Sequence, residues 1–193
     1  MSAITGIMLS DGHIALRTLS SNARFAFNQS GKPEKLEYFN LVFNLMKPFC
    51  TLNYLPYFQK WEDKRRNNAT YTSISLTTMQ LPCFTKLRHI WYKKGIKIVP
   101  LNIQELLTPI ALAHWIMGDG SKLNLGLHLS VYAFSSSDVD LLVKALTNRY
   151  KLVCTIHNTK NGPRIYINKN STDIVRSIVL PHLVPSMYYK LNI

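Results

Sequence analysis

Apolar positions along the chain fall into blocks, and the blocks come round twice. The stretch AITGIMLSDGHI is an apolar run that ends in Ser10, Asp11 and Gly12. Next, HIALRTL and ARFAFNQS alternate apolar and polar positions, the period of a strand. PEKLEYFNLVFNLMKPF is apolar at Leu36, Phe39, Phe43 and Met46, the spacing of a helix. A strand, YTSISLTT, and an apolar helix within CFTKLRHIWYKKG complete the first series.

The second series opens with LTPIALAHWIMGDGS. Thr108 and Pro109 read as a helix cap and first helical residue. Nearly everything from 110 to 117 is apolar, yet the run falls short of the roughly 20 residues that span a bilayer. It ends in Gly118, Asp119 and Gly120. SKLNLGLHLSVYAFS reads as strands. SSDVDLLVKALTNRY reads as a helix with Val139, Leu142, Val143 and Leu146 on one face. LVCTIHN and PRIYIN follow as strands, and TDIVRSIVLPHLV as a closing helix.

Each half is therefore αββαββα, and the chain is an α+β protein of two pseudo-symmetric halves. The aspartates lie 119 − 11 = 108 residues apart, more than half the chain length. The halves are expected at 1–100 and 107–193, joined by a linker at 101–106, with the charged stretch 60–70 as a hairpin tip. The two apolar helices are expected to pack together at the centre, where Gly6, Ser10 and Gly118 allow close approach. That would bring Asp11 and Asp119 to one end of the pair. A helix C-terminus is the negative end of its dipole, so a positive partner is expected there.

Charge narrows the partner. The chain of 193 residues has 23 Lys and Arg against 10 Asp and Glu, a formal charge of +13. For a chain that is 47% hydrophobic and so able to bury a core, this excess points to nucleic acid rather than membrane. Cys50, Cys83 and Cys154 are scattered singly, which excludes a paired-cysteine zinc site and fits a non-oxidising compartment. The N-terminus has no basic region before its apolar stretch, so no signal peptide is expected.

A single Asp-Gly after a helix is an ordinary turn. Two at matching places in a basic chain suit a different role. Neighbouring carboxylates repel unless a cation neutralises them. Mg²⁺ (or Mn²⁺) is held by one or two carboxylates plus water and phosphate oxygens, the arrangement that in-line phosphoryl displacement needs.

ALAHWIMGDG and the weaker AITGIMLSDG resemble the two motifs of the LAGLIDADG homing endonucleases, in the single-chain, two-motif, I-SceI-like subtype. ARFAFNQS, IKIVP, LTPIALAHWIMGDGS and VPSMYYKL also resemble blocks of that subtype, so the likeness covers almost the whole chain. The resemblance implies that Asp11 and Asp119 are metal ligands. Gly12 and Gly120 carry backbone oxygens beside the metals, as do Ser10 and Gly118. It implies that Lys97 and Lys190 are basic residues near the scissile phosphates. Gln29 matches a position that orients water, with Tyr132 as its apparent second-half counterpart. Few residues precede the first motif compared with the family's habit, which implies an upstream segment or a member that dispenses with one.

In that family each half presents a curved antiparallel sheet, and the two form a saddle on the DNA major groove. Arg17, Arg24, Ser73, Ser75 and Thr77 supply outward chemistry on first-half strands. Lys122, Asn124, His128 and Ser130 follow the second motif, and His157, Lys160, Arg164 and Tyr166 occupy the last hairpin. Lys64, Arg65 and Arg66 are expected to grip phosphates from a loop.

The resulting expectation is a monomeric, Mg²⁺-dependent, site-specific endonuclease for double-stranded DNA with a long asymmetric target. The resemblance also implies an intron origin in an organelle, the mitochondrion ahead of the chloroplast. The alternative is a maturase that acts on its own intron RNA with the same fold. Intact aspartates in both motifs favour the nuclease. A basic binder without chemistry would leave the duplicated Asp-Gly unexplained.

Overall fold

The computed structural model describes residues 2–64 and 68–193. Contacts divide these into two compact units, one of the residues up to Ser10 with Ile90–Ile193, the other Asp11–His89.

The smaller unit is built on a sheet of β1 (Gly12–Ala15), β2 (Arg24–Ser30), β3 (Tyr57–Asp63) and β4 (Ala69–Thr77). The order is β1-β2-β4-β3, antiparallel throughout. One face carries Phe25, Phe27, Ile74 and Leu76, all buried, against the helix α2 (Pro33–Met46). The buried face of α2 is Tyr38, Phe39, Val42 and Met46. This is displaced from the expected Leu36, Phe39, Phe43 and Met46, because Tyr38 packs edge-on to Phe27. The stretch expected as a hairpin tip at 60–70 is largely paired: β3 runs to Asp63 and β4 starts at Ala69.

The helix α3 (Pro82–Trp91) stops before the expected YKKG extension. Lys94 and Gly95 both have positive φ, 51° and 81°, and turn the chain into a hairpin of β5 (Tyr92–Lys93) and β6 (Ile96–Lys97). The expected linker contains a short helix, α4 (Ile103–Leu106).

In the larger unit α1 (Ser2–Leu9) packs against α5 (Pro109–Asp119). A Cβ at Gly6 would lie 2.0 Å from the Ala111 carbonyl oxygen, so only glycine allows this approach. Thr108 caps α5 by accepting from Ala111 N at 3.3 Å, and Pro109 opens it. Beyond it lies a second sheet: β7 (Gly120–Leu123), β8 (Gly126–Ser130), β9 (Cys154–Thr159) and β10 (Gly162–Ile167). Its order, β7-β8-β10-β9, repeats that of the first sheet. α6 (Ser136–Tyr150) follows β8 and starts with a capping box between Ser135 and Asp138. α7 (Thr172–Val179) gives way to a 3₁₀ turn at Pro181, and a 3₁₀ segment, Pro185–Leu191, ends the fold. Both halves thus run αββαββα. No helix among the described residues is long and apolar enough to cross a membrane.

Candidate active site and nucleic-acid interface

α5 carries its carboxylate where its own dipole opposes it, and the structure shows what answers the charge. Lys190 is only 3% exposed, and its ammonium donates to three carbonyls of the last turn of α5. These are Ile116 O at 3.1 Å, Met117 O at 2.6 Å and Gly118 O at 2.8 Å. A cation at these last-turn carbonyls offsets the negative helix end. The segment that carries Lys190 is pinned by Arg176, whose Nε and Nη2 donate to Leu191 O at 3.0 and 2.7 Å.

Lys97 does the matching work at the first motif, where its Nζ lies 3.4 Å from Ser10 O. It sits on β6 and also lies 5.8 Å from the Phe134 ring. The hairpin that presents it is tied down just beyond, where Val99 N donates to Asp138 Oδ1 at 3.2 Å. Ser10 Oγ turns back to Gly6 O and Ile7 O, at 3.1 and 3.3 Å, at the end of α1.

Ser10, Lys97 and Asp119 line one cavity of about 190 Å³, with Leu9 and residues 130–134 as its other walls. Its polar chemistry comes from oxygen and ammonium groups. A hard divalent cation fits such donors. Among the described residues no group of three or more His, Cys, Asp or Glu is placed to hold a metal. Asp119 and the backbone oxygens are therefore the donors available here. The oxygens of Ser10 and Gly118 accept from Lys97 and Lys190, so a cation at either would share it with an ammonium.

In the smaller unit Asp11 is exposed and precedes Gly12, whose partner on β2 is Phe27. Gln29 lies two residues past that pairing on the core-facing side, opposite Ile74. It is 7% exposed, and its Oε1 has no hydrogen-bond partner in the structure. A buried amide oxygen of this kind calls for a donor such as water.

The ladder corrects one expectation. Gly120 pairs with Leu129 as Gly12 pairs with Phe27, so the counterpart of Gln29 is Val131 and not Tyr132. The repeat was matched along the sequence, but the connections differ in length. Phe27 follows Gly12 by 15 residues, whereas Leu129 follows Gly120 by 9. Tyr132 instead accepts a hydrogen bond from Arg164 Nε.

The interface residues divide by place. Arg24 is exposed at the start of β2, and Ser73 and Thr77 are half-buried on the outward face of β4. Arg17 is exposed but lies beyond the end of β1, so it does not alternate on a strand. Ser75, expected to face outward, is buried beneath its neighbours, with Asn28 Nδ2 donating to its Oγ at 2.5 Å. Lys64 is exposed after β3, while Arg65 and Arg66 lie outside the described residues.

On the second sheet Lys122 is exposed on β7 and Ser130 is half-buried at the end of β8. Asn124 and Lys160 occupy turns rather than strands, Asn124 with φ 51°. His128 is buried because two rings cover it. Its Nε2 lies 3.0 Å from His157 Nδ1, and Tyr166 stacks on His157 with ring centroids 4.7 Å apart. Burial, then His157 and Arg164, lowers the His128 pKa. Arg164 and Tyr166 share this outward face on β10. Sequence reading missed this ring cluster as a unit, because its members come from three strands.

A profile of the LAGLIDADG DNA endonuclease family matches residues 1–175. The chain belongs to the LAGLIDADG DNA endonuclease family. The cytochrome b mRNA maturase bI2 of Saccharomyces cerevisiae is 35% identical over 100% of this chain and 47% of its own length. The chain therefore spans about half of that relative. The intron-encoded endonuclease ai4 of Dictyostelium discoideum is 36% identical over 75% of this chain and 93% of its own. The fold of this LAGLIDADG chain is similar to that of the homing endonuclease I-WcaI, solved bound to its DNA recognition sequence. The TM-score is 0.88 at 22% identity, covering 98% of this chain and 84% of that one.

Proposed function

We propose that this chain is a site-specific DNA endonuclease that makes a metal-dependent double-strand break at a long asymmetric target. The observation that carries the reading is the cavity in which Asp119, the Ser10 carbonyl and Lys97 meet. A divalent cation such as Mg²⁺ would supply Lewis-acid stabilisation of the negative charge that builds on the phosphate. Asp119, the last residue of α5, and Asp11, which lies just beyond α1, would each hold a cation at its own motif. Lys97 stabilises negative charge on the scissile phosphate. Lys190 keeps the last turn of α5, and so Asp119, in place. Gln29 Oε1 accepts from a water and orients it. The outward faces of the two sheets hold the duplex, and one chain, carrying both motifs, is the functional unit.

The test is incubation with Mg²⁺ and supercoiled DNA that carries the intron-free insertion locus. Linear product is expected, dependent on the divalent ion. Full double-strand cleavage by Asp119→Asn would falsify the site.

A second reading is favoured by one finding, the 35% identity with a maturase over the whole chain. In it the same chain assists splicing of its own intron RNA. The intron-encoded and maturase relatives support an organelle that carries such introns, foremost the mitochondrion, as its location.

A further inference from the structure

The two lysines at the motif ends are held in different ways. Lys190 makes bonds of 2.6 to 3.1 Å to three carbonyls. Lys97 reaches Ser10 O at 3.4 Å, longer than any of these, so its place depends more on the backbone that presents it. That backbone is the β5–β6 hairpin, with two pairs, Tyr92 with Lys97 and Lys93 with Ile96. So short a hairpin is marginal by itself and needs an anchor. Ile98 N donates to Trp91 O at 2.8 Å and closes the hairpin. The anchor beyond it comes from α6. Val99 is buried, and its N–H donates to Asp138 Oδ1 at 3.2 Å. Phe134, just before the Ser135 cap of α6, sets its ring 5.8 Å from the Lys97 ammonium.

Asp138 is 8% exposed, and its two oxygens have separate tasks. Oδ2 closes the capping box, accepting from Ser135 N at 3.3 Å and Ser135 Oγ at 2.8 Å. Oδ1 accepts from Val99 N. A capping box requires only the first of these. In the first half the equivalent helix, α2, starts at Lys32 with no side-chain cap and has Lys35 at its third position. The fold thus forms a helix at this place without such a carboxylate. We infer that Asp138 is a positioning residue for Lys97. It ties the segment two residues past the lysine to the start of α6, and so holds the ammonium at the first motif. It acts through Val99 rather than on the phosphate. This rests on the nuclease reading of Lys97 and adds the group that keeps it in place.

Two readouts test this. Cleavage of an end-labelled duplex that carries the intron-free insertion locus is followed strand by strand, with enzyme in excess and Mg²⁺. Acetylation of Lys97 by acetic anhydride is followed by mass spectrometry in the same proteins without DNA. Asp138→Ala should slow cleavage by roughly tenfold, with the same strand preference as Lys97→Met, and should speed acetylation of Lys97. Asp138→Asn keeps an oxygen for Val99 N and should stay close to wild type in both. Ser135→Ala removes the cap but not the tie. It should lower the folding constant roughly fivefold and leave both readouts unchanged. The double variant Lys97→Met/Asp138→Ala should cut no more slowly than Lys97→Met. Should Asp138→Ala fail to fold, Asp138→Ser, one atom too short for the bond to Val99, takes its place. Unchanged acetylation in the Asp138 variant overturns the tie. So does a further loss of rate in the double variant, or a loss in Ser135→Ala as large as in Asp138→Ala. If wild type cuts neither strand, the nuclease reading fails, and acetylation alone decides the tie.

Discussion

Aligned through their ladders, the two sheets show one topology with two kinds of surface. The Gly12–Phe27 pair corresponds to Gly120–Leu129, and the inward positions stay apolar in both: Phe27 and Leu129, Leu76 and Ile165. The outward positions diverge. Where the first sheet has Ala26, Ser75 and Thr77, the second has His128, Arg164 and Tyr166. At these positions the first sheet has small side chains, Ala26 and Ser75 buried, whereas the second has rings and a guanidinium. Core packing constrains the inward face in the same way twice, since either face must fill space against helices. The outward face carries no such constraint and is free to differ. The two outward faces therefore present different chemistry on one shared topology.

The motif ends diverge too, and this gives ways to break the comparison. The largest effect is expected from the carboxylates. Asp119→Asn and Asp11→Asn should each reduce double-strand cleavage by about 10³-fold or more, while DNA affinity measured without cleavage changes little. If either variant cuts both strands normally, the two motifs are not both catalytic.

Next come the lysines. Removing the Lys190 ammonium takes a donor from three carbonyls of α5, of which Ile116 O keeps the Gly120 N–H. Lys190→Met should lower stability by about 3 kcal/mol in urea denaturation. Lys97 is half-buried, with a longer bond to Ser10 O. Lys97→Met should therefore cost under about 1 kcal/mol and act mainly on cleavage rate. Equal stability losses would show that the two motif ends are held alike.

His114 makes a third difference, as α1 has no histidine. It is buried on α5, and burial, then the charge of His182, lowers its pKa to about 4. The unfolded chain takes up this proton near 6.5, whereas the folded chain resists until about 4. Stability is thus unaffected above 6.5 and falls as pH drops from 6.5 to about 4, by about 3 kcal/mol in all. His114→Gln should flatten that slope in denaturation curves taken across this range. A slope that persists in the variant assigns the acid sensitivity elsewhere.

The smallest effect concerns Gln29 and Val131. Gln29 has an amide where its ladder counterpart Val131 has an isopropyl group, so the two strands should be cut at unequal rates with a nicked intermediate. Gln29→Leu should shift the ratio of the two rates by roughly tenfold in time courses on supercoiled DNA. An unchanged ratio removes Gln29 from the site.

The repeat, the helix caps and the alternating strands were legible in the sequence because they are local. Thr108 and Pro109 open α5 by contacts within a few residues, and strand periodicity follows from the backbone alone. The Asp-Gly pairs were legible for the same reason: each closes its own helix. What the sequence could not decide depends on partners far along the chain. Ser75 reads as an outward serine, yet neighbouring strands cover it. The match of Gln29 to Tyr132 failed because loop length shifts sequence spacing without shifting ladder register. Lys190 bonds carbonyls 72 to 74 residues away, and no local pattern marks a lysine for such a task. By itself the sequence determined two copies of one unit, each ending an apolar helix in a carboxylate. Only tertiary structure decided which cation stands at each helix end and that the Gln29 amide is buried. Burial and register are set by strands and helices that meet after the chain has turned back on itself.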